Sequence, residues 1–206
     1  MTVAGTGQLR WVLFDWGNVL VKYRPLGYVH LAERLGVELD ALAGAFGAEG
    51  LVRQLVVGDA SPQDLSAWLA TRFGAQVDED DVIAAFADDV SERMPGIEPL
   101  VSALQDRYRL SILSNTFFGH WHQVLHDPFY RVFERPMASH LLRAAKPDPV
   151  IYQRALEQLG CPPDQVAFID DKQENTDAAR AAGMHAIHST SVDQTRTGLV
   201  ALGCLD

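Results

Sequence analysis

Three apolar runs in this chain each end on a polar group, and that repetition restricts the possible folds more than any other feature. Residues 9–14 finish in Trp11-Val12-Leu13-Phe14 and meet Asp15; residues 110–113 meet Ser114; residues 166–169 meet the pair Asp170-Asp171. Runs so rich in β-branched, aromatic and aliphatic side chains read as strands buried on both faces. Helical patterns separate them, among them Pro149–Leu159 and residues 175–182, the latter closed by Gly183 before a short strand at 184–187. Strands that alternate with helices form a parallel sheet covered on both sides, an α/β fold whose ligands gather at the carboxyl ends of the strands. The polar residues named above stand at those ends.

Residues 24–95 read differently, with apolar positions at helical spacing and no convincing strand. Ser61-Pro62-Gln63-Asp64 is a helix start: Ser61 caps, Pro62 suits the first turn and Asp64 stands where a capping box needs a carboxylate. The acidic run at 78–81 is a second amino-terminal turn, favoured by the helix dipole. The stretch is expected to be a helical bundle inserted into the α/β core. The core then comprises residues 1–23 and 96–206, and the insert residues 24–95. With 206 residues, 48% of them hydrophobic, the chain can bury such a core without staples. Cys161 and Cys204 are too few for a disulfide framework or a multi-cysteine metal site and read as buried or incidental.

The formal net charge of -10 repels a phosphate backbone, and the basic residues are scattered, so nucleic acid is not an expected partner. No apolar run approaches the roughly 20 residues that span a bilayer, and the first ten residues lack a signal-type stretch. A cytoplasmic protein without a membrane partner is the expectation. An anionic ligand would need a local positive site built from a metal ion, a lysine and backbone amides.

The strand ends supply candidates for that site. Asp15, a carboxylate after a strand with Gly17 close behind, can bind a metal while exposing one oxygen for attack, although a turn aspartate looks the same. In Ser114-Asn115-Thr116 a hydroxyl and successive amides can hold phosphate oxygens, or simply make a turn. Lys146, one of three lysines, is held before Pro147-Asp148-Pro149, where a fixed ammonium neutralises both a nucleophile and an incoming phosphate; a solvated surface lysine is the plainer alternative. Asp170-Asp171 is the sharpest signal, because adjacent carboxylates after an apolar strand repel unless a cation or hydrogen bonds relieve them. A hard, oxygen-binding ion such as magnesium fits, with Asn175 placed to position the pair; an acidic helix start is the alternative.

In this order and spacing, the four segments resemble the four motifs of the haloacid dehalogenase superfamily over residues 11–187. The resemblance implies a Rossmann-like core and makes the helical insert its cap. It implies that Asp15 attacks phosphorus and forms an aspartyl-phosphate, while Ser114 and the amide of Asn115 bind the phosphoryl oxygens and Lys146 offsets their charge. It also implies that Asp171 ligates magnesium with Asp15 and the carbonyl of Gly17, and that Asp170 binds the ion through water or orients Lys146. Phe14-Asp15-Trp16-Gly17-Asn18-Val19, Val57-Gly58-Asp59-Ala60-Ser61 and the run from Lys146 through Ile151-Tyr152 look like the small phosphatases related to bacterial glucose-1-phosphate phosphatase and the phosphatase domain of soluble epoxide hydrolase. A small phosphorylated metabolite is the implied substrate.

One position departs from the pattern. Phosphatases of this superfamily usually carry a second aspartate two residues after the nucleophile as general acid and base; here it is Gly17. General acid catalysis is worth about a hundred- to ten-thousand-fold, so a sugar 1-phosphate, whose oxygen leaves readily, would tolerate the loss best. His120 and His122 are substitutes by position, yet they read first as partly exposed histidines of an aromatic helix with Phe117, Phe118 and Trp121. A haloacid dehalogenase also lacks the second aspartate, but the acidic pair argues against it. A phosphonate hydrolase, suggested by Asp15-Trp16, would need a cap lysine, and none lies between Lys22 and Lys146. A phosphate-binding module without turnover would not explain an attacking carboxylate. Tyr28, His30, Arg53 and Trp68 are the cap residues placed to face a substrate, each with a core or surface alternative.

Overall fold

The computed structural model describes residues 8–206 apart from positions 75 and 88. Seven strands are found among the described residues: β1 Trp11–Phe14, β2 Val21–Tyr23, β3 Val90–Arg93, β4 Arg109–Ser114, β5 Met137–Ala138, β6 Val166–Asp170 and β7 His185–His188. Five of them form one parallel sheet in the order β5-β4-β1-β6-β7. Phe14 is in register with Ile112 on one side and Ile169 on the other, so the carboxyl ends of β1, β4 and β6 lie side by side. The Asp15 amide extends the ladder by donating to Ile169 O at 2.8 Å.

Alternation along β1 sends its side chains to two different cores. Val12 and Phe14 pack with Ile97, Leu100 and Leu104 of α6 (Ile97–Gln105), with α7 (Phe118–His126) and α11 (Val192–Ala201) on the same face. Trp11 and Leu13 pack on the other face with Ile151 and Tyr152 of α9 (Pro149–Leu159) and Ala179 of α10 (Gln173–Ala181). A strand covered on both faces has no use for polar residues until it ends, which is why the polar groups collect at its tip.

Between β2 and β3 the chain forms α1 Gly27–Leu35, α2 Leu39–Ala48, α3 Leu51–Val56, α4 Pro62–Phe73 and α5 Glu79–Ala87 around a third apolar cluster containing Leu31, Leu42, Phe46, Leu65 and Phe86. The Ser61 capping box is present: Ser61 Oγ accepts from the Asp64 amide and Asp64 Oδ2 accepts from the Ser61 amide at 2.8 Å. Asp78 Oδ1 likewise accepts from the Asp81 amide at 2.8 Å. One sequence expectation is corrected here, because residues 24–95 do contain a strand. Val90–Arg93 pairs antiparallel with Val21–Tyr23, and this ribbon carries the chain into and out of the bundle. It was invisible because Val-Ser-Glu-Arg has neither an apolar run nor a nearby partner; its pairing spans the whole insert. Helix α8 (Ser139–Leu142) follows β5 and meets the insert, where Gly58 approaches so closely that a Cβ would strike the His140 carbonyl. Among the described residues no helix is long and apolar enough to cross a membrane.

Candidate active site

The three strand tips and the Lys146 turn converge. Lys146 Nζ lies 2.8 Å from Asp15 Oδ1, 2.7 Å from Asp170 Oδ2 and 2.8 Å from Leu113 O, which uses all three ammonium protons. Asn115 clamps the lysine from behind: its Nδ2 donates to Lys146 O at 2.7 Å, and its Oδ1 accepts from the Lys146 amide at 2.8 Å. Burial pushes the Asp15 carboxyl up, with Asp170 adding to the shift and Lys146 opposing it, to about 6. Burial pulls the Lys146 ammonium down, but Asp15 and Asp170 together outweigh it and hold the group above its ordinary value. Ser114 is buried at the end of β4 and lines the cavity described below.

Asp170 and Asp171 divide their work. Asp170 is fully buried and takes Lys146 on Oδ2 and the Lys172 amide and Asn175 Nδ2 on Oδ1, both at 2.9 Å. Asp171 is half-buried and takes Asn18 Nδ2 at 3.2 Å. Asn18 holds a left-handed backbone, φ 59°, a conformation asparagine tolerates, and its Oδ1 accepts from the Tyr23 amide. It thereby ties the first segment to the last. Carboxylate oxygens of Asp15, Asp170 and Asp171 all lie within 4.8 Å of one another. Asn175 Oδ1 is buried beside them and has no hydrogen-bond partner among the described residues, an acceptor in keeping with a hydrated cation. Asp170 already carries three donors, whereas Asp15 and Asp171 line the cavity and offer carboxylate oxygens to a cation. This donor set, oxygen only, fits magnesium.

A cavity of about 330 Å³ opens above these groups. Its floor holds Asp15, Gly17, Ser114, Asn115, Lys146, Asp171 and Asn175, which places the candidates of the four motif segments, Asp170 apart, on one surface. Its roof comes from the insert, from α7 and from the residue before it: Tyr28, Val52, Val56, Phe86, Phe117 and His120. Of the four cap candidates, Tyr28 lines the cavity; His30 does not, Arg53 is exposed, and Trp68 packs inside the cap cluster against Phe46 and Phe73. Lys22 is tied to Glu92 on the ribbon at 2.7 Å.

The reading of His120 as a partly exposed helix histidine is overturned. It is 5% exposed, its Nε2 lies 2.7 Å from Asp89 Oδ2, and its Nδ1 lies 3.3 Å from Thr116 Oγ1. Asp89, fully buried, also accepts from the Gly27 amide. Phe86, Phe117 and Tyr23 pack their rings around His120 and shield the pair from water. His122, by contrast, is exposed and stacks on His126. Asn18 and Asp89 are the other residues of the site that sequence reasoning passed over; the only local signal was the Gly17-Asn18 turn.

The fold is a parallel α/β sheet with a helical insert, and a buried carboxylate–lysine–carboxylate cluster stands at its strand tips. Residues 9–183 match the haloacid dehalogenase-like hydrolase family, and the chain belongs to it. Over 64 residues, 31% of this chain, it is 41% identical to the phosphatase MT3486 of Mycobacterium tuberculosis, and the match spans only 30% of that relative's length. It is 27% identical to the sesquiterpene phosphatase astK of Aspergillus oryzae over 86% of this chain and 88% of that protein. Among solved structures, the HAD family enzyme bt-2542 from Bacteroides thetaiotaomicron superposes with a TM-score of 0.79 at 22% identity, covering 93% of this chain and 98% of that one. The same enzyme has been crystallised with magnesium and inorganic phosphate; that complex superposes with a TM-score of 0.75 at 24% identity, over 87% and 93% of the two chains.

Proposed function

We propose that this chain is a magnesium-dependent phosphatase in which Asp15 takes the phosphoryl group of a small phosphorylated metabolite as an aspartyl-phosphate. The observation that carries this reading is the buried triad Asp15, Lys146 and Asp170 beneath a cavity that also contains Ser114 and Asp171. Asp15 is the nucleophile. Lys146 acts through its charge, holding Asp15 ionised and aimed, and Asp170 and Asn115 position the lysine. Ser114 Oγ and the Asn115 amide face the phosphoryl oxygens. Asp15, Asp171 and the carbonyl of Gly17 are the proposed magnesium ligands, with Asn175 orienting the shell around them. When bound, the ion neutralises phosphoryl charge and supplies the positive field that a chain of net charge -10 otherwise lacks. Residues 24–95 serve as the cap that closes over the substrate and excludes water. The phosphatase names of the two relatives and the magnesium and phosphate bound by the bacteroidal enzyme support this reading.

The roof of the cavity speaks to the organic part of the substrate. A sugar phosphate has an oxygen that leaves readily, but Tyr28, Val52, Val56, Phe86 and Phe117 set a mainly apolar stretch beside the polar groups of Tyr23, Asp89, Thr116 and His120. Such a wall favours an apolar or aromatic alcohol phosphate, in keeping with the sesquiterpene in the name of the Aspergillus relative. Hydrolysis of p-nitrophenyl phosphate with magnesium, and its loss in chelator, tests the activity. Halide release from a haloacid in chelator would point instead to a dehalogenase, and binding without turnover to a phosphate-binding module.

A further inference from the structure

At the position of the family's missing aspartate, the nearest side chain is Tyr23, in ordinary contact distance of where a Cβ would stand. A Cβ on Gly17 would meet Tyr23 Cβ at 3.4 Å, and Tyr23 packs edge-on against His120 with ring centres 5.8 Å apart. Tyr23 itself is a poor proton donor at neutral pH, since burial and Asp89 push its phenol up to about 12. His120 is the group behind it. Buried Asp89 takes Nε2 at 2.7 Å, fixing the ring and compensating an imidazolium, while Nδ1 points to Thr116, two residues past Ser114, where the phosphoryl oxygens are expected. A histidine kept only to fill an apolar helix face would not require a fully buried carboxylate. His120, Asp89 and Thr116 all line the same cavity as Asp15.

We propose that His120 is the proton donor that replaces the aspartate absent at Gly17, with Asp89 as its positioning residue; this rests on the phosphatase reading above. Asp15 forms a bond to phosphorus, the bond from phosphorus to the ester oxygen breaks with its electron pair on that oxygen, and the oxygen takes the proton from His120 Nδ1. Nε2–H stays on Asp89 throughout. In the second half, neutral Nδ1 accepts a proton from the water whose oxygen attacks the aspartyl-phosphate. Inorganic phosphate leaves, the carboxylate of Asp15 is regenerated and the imidazolium is restored.

The test is the dependence of first-turnover rate on the leaving group, measured by rapid quench with magnesium across aryl and alkyl phosphates. A donor in place gives the unaltered enzyme a shallow dependence. His120→Asn steepens it, with alkyl phosphates falling about a hundredfold or more and p-nitrophenyl phosphate far less, because nitrophenolate needs little help. Asp89→Asn moves the slope in the same direction by a smaller amount. Equal losses on all substrates in both variants would show a merely structural pair and overturn the proposal. Should the variants fail to fold, a steep dependence in the unaltered enzyme overturns it equally. Absence of turnover on every ester, with unaltered enzyme and Asp15→Asn alike, is instead the failure of the phosphatase reading, and the donor falls with it.

Discussion

At the floor of the cavity, Asp15, Lys146, Asp170 and Asp171 sit on strand tips and a turn whose positions the parallel sheet dictates. At its roof, His120 comes from a core helix, while Asp89, Phe86 and Tyr28 come from separate parts of the insert. The floor is a charge network in which each buried group compensates another: three ammonium protons meet three oxygens, and Asp170 meets three donors. The roof is a hydrophobic wall with one ionisable pair set into it. Chemistry common to a family belongs on the half the sheet dictates, and selection of substrate on the half built from the insert. The two halves should therefore fail differently when disturbed.

The largest effect is expected at the floor. Lys146→Met leaves Asp15 and Asp170 buried without their cation, so unfolding in urea should show a loss of about 3–5 kcal/mol along with loss of turnover. A variant as stable as the parent would mean that the carboxylates are not held as described. The same network predicts a pH signature. Because burial raises the Asp15 carboxyl from 3.8 to about 6, the folded chain binds that proton more tightly than the unfolded chain. Its contribution to stability is then greatest below 3.8 and declines as pH rises toward 6. Magnesium competes with the proton, so its stabilisation should grow through that range, to roughly 2.7 kcal/mol at a hundredfold excess over Kd. Thermal unfolding at pH 5 and pH 7.5, with and without magnesium, reads it; an equal shift at both values contradicts it.

At the roof the effect should be smaller and confined to binding. Val56→Ser should raise KM for an apolar alcohol phosphate about tenfold while leaving glycerol phosphate nearly unaffected. Equal changes for the two substrates would show that the wall does not select. This contrast also explains what could be read from the chain in advance. Asp15, Ser114 and Asp170-Asp171 were legible because each ends an apolar run, a signal that is local. The fold followed from the same runs. Lys146 was legible through its scarcity and its prolines, although nothing local shows its three acceptors. The pairing of His120 with Asp89 was not legible, since the two lie 31 residues apart and meet through packing of the insert on α7. Surrounding aromatics disguised His120 as filler, just as the short polar strand Val90–Arg93 hid among helices.

Everything at the floor converges on one carboxylate. Asp15→Asn, assayed with p-nitrophenyl phosphate and magnesium alongside a circular dichroism spectrum, measures its role most directly. The expected result is an unchanged fold and a loss of about a thousandfold or more in turnover. A folded variant that keeps even a tenth of the parent's rate would contradict attack by Asp15.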